Sequence, residues 1–466
     1  MALKPLFPRQ PLVDLPNIPL PLRSVALRGD IPARMRAACA ALLSGTHTPY
    51  TLLACTMSAY LTDDKDLIVS CSHALDKSGL YMPDTAAIPD LLYLCRAQLL
   101  RYEASGDKLL LAPVMQCVKR ISNNRDTLIA DCTGDILEIL IMLYNLTGKK
   151  QLLALYDTIR AESFDWAAIR HAYPAAKPIP HNSYIIKTHR IYGHDTKTET
   201  DGLSLAYRLR VPSLSYLISG HAKEQEAALA CYNRLMKRHG LPGGILSLNP
   251  HLGGRSLRYG ADTRIAGEIA YSLSKAALFD PAAKDALEQL TLNALVKSIS
   301  YQGVKTTYYH DNRTPYTPFI TAPEHTAAIL IGLTAYAQCV YTLSKHDEIG
   351  IDFFADSGCA INLNNAALRI QQTSEKDCLH IAITAKKASG GTFYVRIPYW
   401  VAENHATLDD HPLLPENGVY RAPLPLTGEC VMRIYYQPRD GVMIGYSGIT
   451  YRMIGPMLYN NSHHEV

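Results

Sequence analysis

The chain has 466 residues, with 46 Lys and Arg against 42 Asp and Glu, and a formal net charge of +4. So mild a charge excludes the concentrated basic surface of a nucleic-acid binder or an anionic-membrane protein. The length leaves room for two or three domains, and a hydrophobic share of 48% suits a globular fold.

No apolar run reaches the roughly 18 residues that span a membrane. Pro5, Pro8, Pro11, Pro16, Pro19 and Pro21 interrupt any signal-peptide core. The 11 cysteines are dispersed, with no CxxC pair, and read as buried free thiols of a reducing compartment. The expected location is therefore cytoplasmic. Tyr is abundant at 29 against 2 Trp and 7 Phe. Tyrosine faces and hydroxyls suit sugars, although most such residues are half-buried structural ones.

Residues 1–22 form a Pro-rich arm expected to lie along the surface, in polyproline or edge-strand conformation. Arg23–Arg28 reads as one short strand. From Ile31 the pattern is helical, and residues 23–345 are expected to form one helical domain of about twelve helices. Three helices end alike, at Arg101–Asp107, Met142–Lys149 and Ser215–Lys223, each with an aromatic residue before a Ser/Thr-Gly stop. Glycine supplies the left-handed residue that ends a helix. A second amphipathic helix follows each stop, which implies stacked helical hairpins. Their uneven spacing fits a closed toroid better than an open solenoid. After Ser344 the period shortens to strands, with turns such as Asn364-Asn365 and Asp440-Gly441. Residues 346–460 are expected to form a β-sandwich, and 461–466 a frayed tail.

Leu241–Leu278 stands out. It opens with Gly243, Gly244, Gly253, Gly254 and Gly260, then switches to a helix near Asp262 or Thr263. A glycine-rich loop feeding a helix N-terminus is a common way to build a ligand site. It is equally the form of an ordinary capped interhelical loop.

Gly202–Tyr216 (GLSLAYRLRVPSLSY), Arg238–Gly244 (RHGLPGG), Gly260–Glu268 (GADTRIAGE), Phe393–Trp400 (FYVRIPYW) and Gly455–Tyr459 (GPMLY) occur in an order that resembles the β-L-arabinofuranosidases of glycoside hydrolase family 127. The resemblance implies an (α/α)6 barrel followed by a β-sandwich, with the active site in the barrel mouth. It also implies, for active members, a cysteine nucleophile on a zinc ion and a glutamate acid/base. Here the Glu-x-Cys motif falls on Asp262-Thr263-Arg264. The adjacent-cysteine motif falls on Thr321-Ala322-Pro323-Glu324-His325, and the acid/base near Asn249-Pro250. A His-Gly-Val-Asn segment of relatives falls on Asp201-Gly202-Leu203-Ser204. No cysteine lies between Cys231 and Cys339, so no metal or other cofactor is expected.

The chemistry that remains is carboxylate chemistry. Asp262, Glu324 and Asp201 are the candidate catalytic residues, because glycoside hydrolysis needs two carboxyl groups at a set separation. Arg264, His251, His325, Thr321 and His194 are the candidate substrate contacts. Each has a structural alternative. Asp262 suits a helix N-cap. Arg264 and Glu268 suit an i,i+4 ion pair. Glu324 and His325 follow Pro323 at a helix start, where a carboxylate is favoured anyway. The expected function is a glycosidase acting on a glycan fragment. The alternative is a catalytically silent sugar- or partner-binding protein on the same scaffold. An unrelated toroid enzyme, an uronide hydrolase or epimerase, is the third reading. The partner is expected to be a carbohydrate, not nucleic acid or membrane, and a homodimer is compatible with such a fold.

Overall fold

The structure is a computed structural model. It describes residues 7–78, 87–123, 133–163, 165, 167, 201–247, 252, 254–255, 260–308, 318–363, 366–386, 390–425, 427–444 and 450–460. Among these, a helical domain precedes a β-rich one.

The helices are α1 (Asp30–Ser44), α2 (Pro49–Leu61), α3 (Lys65–Ser78), α4 (Ile88–Ser105), α5 (Leu111–Ile121), α6 (Thr133–Thr147), α7 (Gln151–Glu162), α8 (Gly202–Arg208), α9 (Arg210–Ser219), α10 (Ala222–His239), α11 (Thr263–Ala276), α12 (Pro281–Leu290) and α13 (Pro323–Gln338). Counting α8 and α9 as one bent rod joined through Leu209 gives 12 helices.

Two kinds of helix are visible in their sequences. In α2 every residue from Tyr50 to Leu61 is buried, and in α13 every residue from Thr326 to Ala337. A helix that is apolar all round must be enclosed on all sides. By contrast, α10 buries one stripe through Ala227, Cys231 and Leu235, with charges on its other face. The enclosed helices touch in a closed order. α2 packs on α4, α4 on α6, α6 on α9, α8 and α9 on α11, α11 on α13, and α13 back on α2. The one-sided helices back them: α1 and α3 on α2, α5 on α4, α7 on α6, α10 on α9 and α12 on α11.

The three glycine stops occur as expected. Gly106, Gly148 and Gly220 have φ of 74°, 68° and 69°. Each N–H donates to the carbonyl of the tyrosine four residues back, Tyr102, Tyr144 or Tyr216.

Two other glycines govern packing. A Cβ at Gly267 of α11 would collide with the Ala328 carbonyl of α13. A Cβ at Gly332 would meet the Gly267 carbonyl oxygen at 3.0 Å. Their absence lets these two helices close on each other and brings their N-termini together.

The β-rich region has a seven-stranded antiparallel sheet running, edge to edge, from His411–Leu413 through Val401–Leu408, Gly428–Pro438, Cys378–Ala385, Ala366–Glu375 and Ser357–Leu363 to Val25–Leu27. A five-stranded sheet runs from Asn17–Pro19 through Tyr341–Ser344, Glu348–Ile351 and Thr392–Arg396 to Val419–Pro423. One of its pairs, Glu348–Ile351 with Thr392–Arg396, is parallel.

Two features depart from the sequence reading. The Pro-rich arm is not a surface strap. Asn17–Pro19 is an edge strand of one sheet, a conformation expected of the arm, but Leu12, Leu15, Leu20 and Leu22 are buried; Val25–Leu27, inside the strand expected at Arg23–Arg28, is an edge strand of the other sheet. Pro19 ends its strand at a sheet edge, where a missing N–H is tolerated. Second, Tyr341–Ser344 is already a strand, within the span read as helical. Its four residues are all buried, so its apolar run continues that of α13.

The two motifs most specific to the resemblance, in Phe393–Trp400 and Gly455–Tyr459, fasten the β-rich region to the helices. The Trp400 indole donates to Glu288 Oε2 of α12 at 2.8 Å. Arg396 pairs with Asp285 at 2.6 Å. The Asn293 amide donates to the Pro456 carbonyl at 2.9 Å and accepts from the Leu458 N–H at 2.9 Å, as a neighbouring strand would. Burial pushes the Glu288 carboxyl up to about 7 despite Arg396 nearby.

Candidate functional site

Three inner helices meet through their N-termini. Thr48 caps α2 in a reciprocal box with Thr51. Asp262 caps α11, with its Oδ1 accepting from the Arg264 N–H at 2.8 Å. Pro323 opens α13, with Glu324 in its first turn. The close packing of α11 on α13 puts His325 Nε2 3.3 Å from Asp262 Oδ1. Thr48 Oγ1 lies 3.4 Å from Glu324 Oε1. Residues distant in sequence, 48, 262, 324 and 325, therefore share one end of the helical domain. Asp262 also lies in a short antiparallel pair, opposite Thr307.

The expected site residues are sorted by this geometry. Asp262, Glu324 and His325 are brought together. Thr321 is exposed just ahead of α13, and Arg264 sits in the first turn of α11. Asp201 caps α8 by accepting the Ser204 N–H at 2.8 Å. Among the described residues no hydrogen bond or ion pair joins it to Asp262, Glu324 or His325. His194, His251, Asn249 and Pro250 lie outside the described residues.

The Arg264–Glu268 pair expected from spacing does not form. Glu268 points inward to Arg210 and accepts from the Tyr50 hydroxyl at 2.6 Å. Arg264 Nε is left with no hydrogen-bond partner.

Behind this end lies a buried polar layer that local reading of the sequence missed. Arg210 bonds Glu268 and, at 3.1 Å, Asp135. Arg96 bonds Asp135 at 3.0 Å and faces Glu138 at 3.4 Å. Lys275 bonds Glu138 at 2.7 Å, and Tyr271 donates to the same carboxylate. Three carboxylates thus face three cations, as buried charges require.

Desolvation raises the Asp135 carboxyl, though Arg210 and Arg96 oppose it. At Glu138 desolvation is the largest single influence, but Arg96 and Lys275 outweigh it and hold the carboxyl well below the usual range. Tyr50 links this layer to the mouth. Burial and Glu268 push its phenol well above the ordinary value, and Glu324 adds to that. Tyr93 packs its ring tilted against Tyr50, with centroids 5.1 Å apart, and donates to the Tyr207 hydroxyl at 3.1 Å. The signal was present: Arg96, Asp135, Glu138 and Arg210 are charges set inside apolar helices.

Lys305 is a further cation near the mouth. Its carbonyl accepts from the Thr263 hydroxyl at 2.6 Å, and its ammonium lies over the Phe319 ring at 5.0 Å. Burial lowers its pKa.

A thiolate-held zinc does not fit these residues. The positions matched to its cysteines hold Arg264, Thr321 and Ala322. The flanking thiols, Cys231 and Cys339, are buried, and burial pushes Cys339 up to about 12, so it stays protonated.

The order of a helical domain followed by a β-rich region is a fold shared with solved glycoside hydrolases. Three solved structures make the likeness specific. A glycoside hydrolase superposes with a TM-score of 0.72 at 13% identity, over 95% of this chain and 83% of the other. A family 127 β-arabinofuranosidase gives 0.64 at 13% identity, over 95% and 85%. A family 127 β-L-arabinofuranosidase from Geobacillus stearothermophilus T6 gives 0.60 at 13% identity, over 92% and 80%. The chain thus has the fold of the family 127 enzymes. No protein-family model matches it, and no curated protein matches it in sequence. Among the described residues, no helix is long and apolar enough to cross a membrane.

Proposed function

We propose that the chain is a glycoside hydrolase-like protein that acts on a glycan fragment through carboxyl groups alone. In this reading the closed order of inner helices is an (α/α)6 barrel, the two large sheets form a β-sandwich, and the site lies at the Asp262 end. The observation that carries it is the meeting of Asp262 and His325 at 3.3 Å with Glu324 beside Thr48. Two carboxyl groups then stand at the starts of two packed helices, Asp262 capping α11 and Glu324 in the first turn of α13.

Asp262, oriented by the Arg264 N–H and by His325, serves as the carboxylate that attacks the anomeric carbon or activates a water. Glu324 serves as the acid that protonates the leaving oxygen. Asp201 is the alternative second carboxyl. Arg264, with its unpartnered Nε, binds a sugar oxygen or carboxylate. Thr321, His325, His251 and His194 complete the sugar contacts.

A second reading is a silent sugar-binding protein. What favours it is that both partners of Asp262 Oδ1 are accounted for by capping and helix packing alone.

The test is a hydrolysis screen on aryl pentofuranosides and acidic oligosaccharides, with Asp262→Asn and Glu324→Gln beside the wild type. Each variant should lose roughly 10²–10⁴-fold in kcat while keeping its fold. The anomer of the first-formed product reports retention or inversion. Binding of a glycan without turnover would select the second reading. Turnover unchanged in both variants would remove these residues from the chemistry.

A further inference from the structure

At the opposite end of the inner helices lies a cavity of about 370 Å³. The Pro-rich arm roofs it with Leu12, Leu15 and Ile18, and its floor includes Leu99, Met142 and Leu217 near the C-terminal ends of α4, α6 and α9. The volume lies within the roughly 300–1,000 Å³ range of small-molecule sites. The walls are almost wholly apolar. One acidic side chain, Glu103 of α4, lines them, and no lysine or arginine does.

Among the described residues Glu103 makes no hydrogen bond or ion pair. The nearest cation that acts on it, Lys275, is bonded to Glu138 instead. Desolvation outweighs the pull of Lys275 and pushes the Glu103 carboxyl up to about 7. A carboxyl facing an apolar chamber with no counter-charge lacks half of an ion pair. An arriving ammonium group supplies that half, and the chamber takes its apolar tail.

We propose that this cavity is a second binding site, separate from the sugar mouth, for a small organic amine with an apolar body, its ammonium held by Glu103 beneath the arm. The arm also contributes an edge strand, Asn17–Pro19, to the five-stranded sheet, and leads directly into Val25–Leu27 at the edge of the other. A ligand under it therefore touches the element that ties the two regions together.

The test is isothermal titration calorimetry of the full chain with hexylamine, using hexan-1-ol and hexanoate as controls. It is run at about pH 8, where carboxyl and ammonium are both charged. Hexylamine should bind saturably at one site, hexan-1-ol about tenfold more weakly, and hexanoate not at all. Glu103→Gln should weaken hexylamine about tenfold and leave hexan-1-ol unchanged. This near-isosteric change removes an unpaired charge, so the fold should survive it. Met142→Trp, which puts a bulky ring into the chamber wall, should abolish binding of both. No saturable heat with hexylamine, equal affinity for amine and alcohol, unchanged amine affinity in Glu103→Gln, or amine binding that persists in Met142→Trp would overturn the proposal.

Discussion

The two ends of the inner helices solve the same problem in opposite ways. At the mouth, side chains meet the free N–H groups: Thr48 on α2, Asp201 on α8 and Asp262 on α11. At the far end, Gly106, Gly148 and Gly220 finish the helices with their own backbone, and the arm lies over them, with Arg9 at Gly148, Val13 at Gly220 and apolar residues across the cavity at Gly106. Side-chain capping brings acids to a surface, whereas glycine capping brings none. The same helix geometry therefore yields a polar mouth and an apolar floor. The layer of Arg96, Asp135, Glu138, Arg210, Glu268 and Lys275 lies between them. What the contrast teaches is that the polar groups at the first end are held by the helix starts they cap, while one near the floor must be paired within the fold or await a partner.

The sharpest way to break this contrast is to unbalance the middle layer. Arg210→Met leaves Glu268 and Asp135 short of a cation and should cost about 3–5 kcal/mol in urea unfolding. A loss below about 1 kcal/mol would show that the layer is not acting as one charge-balanced unit.

Next in size is Gly267→Ala. Its methyl meets the Ala328 carbonyl, so it should cost about 1–3 kcal/mol by overpacking. It should also lower any hydrolytic rate, because parting α11 from α13 separates Asp262 from His325. Normal turnover in a destabilised variant would uncouple the packing from the site.

Asp201→Ala removes one mouth cap and should cost about 1 kcal/mol in thermal or urea unfolding. A loss of hydrolysis far beyond that stability change would move Asp201 from cap to catalyst.

The smallest effect concerns pH at the floor. The folded Glu103 carboxyl titrates near about 7 against an ordinary 4.5. Between those values the folded chain holds the extra proton, so wild-type stability falls as pH rises and levels off above about 7. Glu103→Gln should lack that slope. The gap should reach about 1 kcal/mol, discounted because the carboxyl keeps some accessible surface. Parallel stability profiles for the two proteins would place Glu103 in water rather than against the chamber.

Much was legible in the chain because its signals are local. The Tyr-to-Gly helix stops, Asp262 as the start of α11 and the passage from helices to strands depend on residues a few positions apart. Leu241–Leu278 does switch to a helix at Asp262, which caps α11.

Other features needed the folded chain. Spacing on one helix pairs Arg264 with Glu268, yet Glu268 turns to Arg210, because enclosure makes a buried partner on another helix the stronger claim. Nothing near Pro19 or Val25 tells which sheet each strand joins, since edge pairing with Ser344 or Ser357 is made across more than 300 residues. The sequence alone determined where helices start, stop and give way to strands, and that no cysteine stands between Cys231 and Cys339. Only the tertiary structure decided which acids meet, which are neutralised and which, like Glu103, are left facing an apolar chamber. Charge pairing depends on distance in space, and distance along the chain does not encode it.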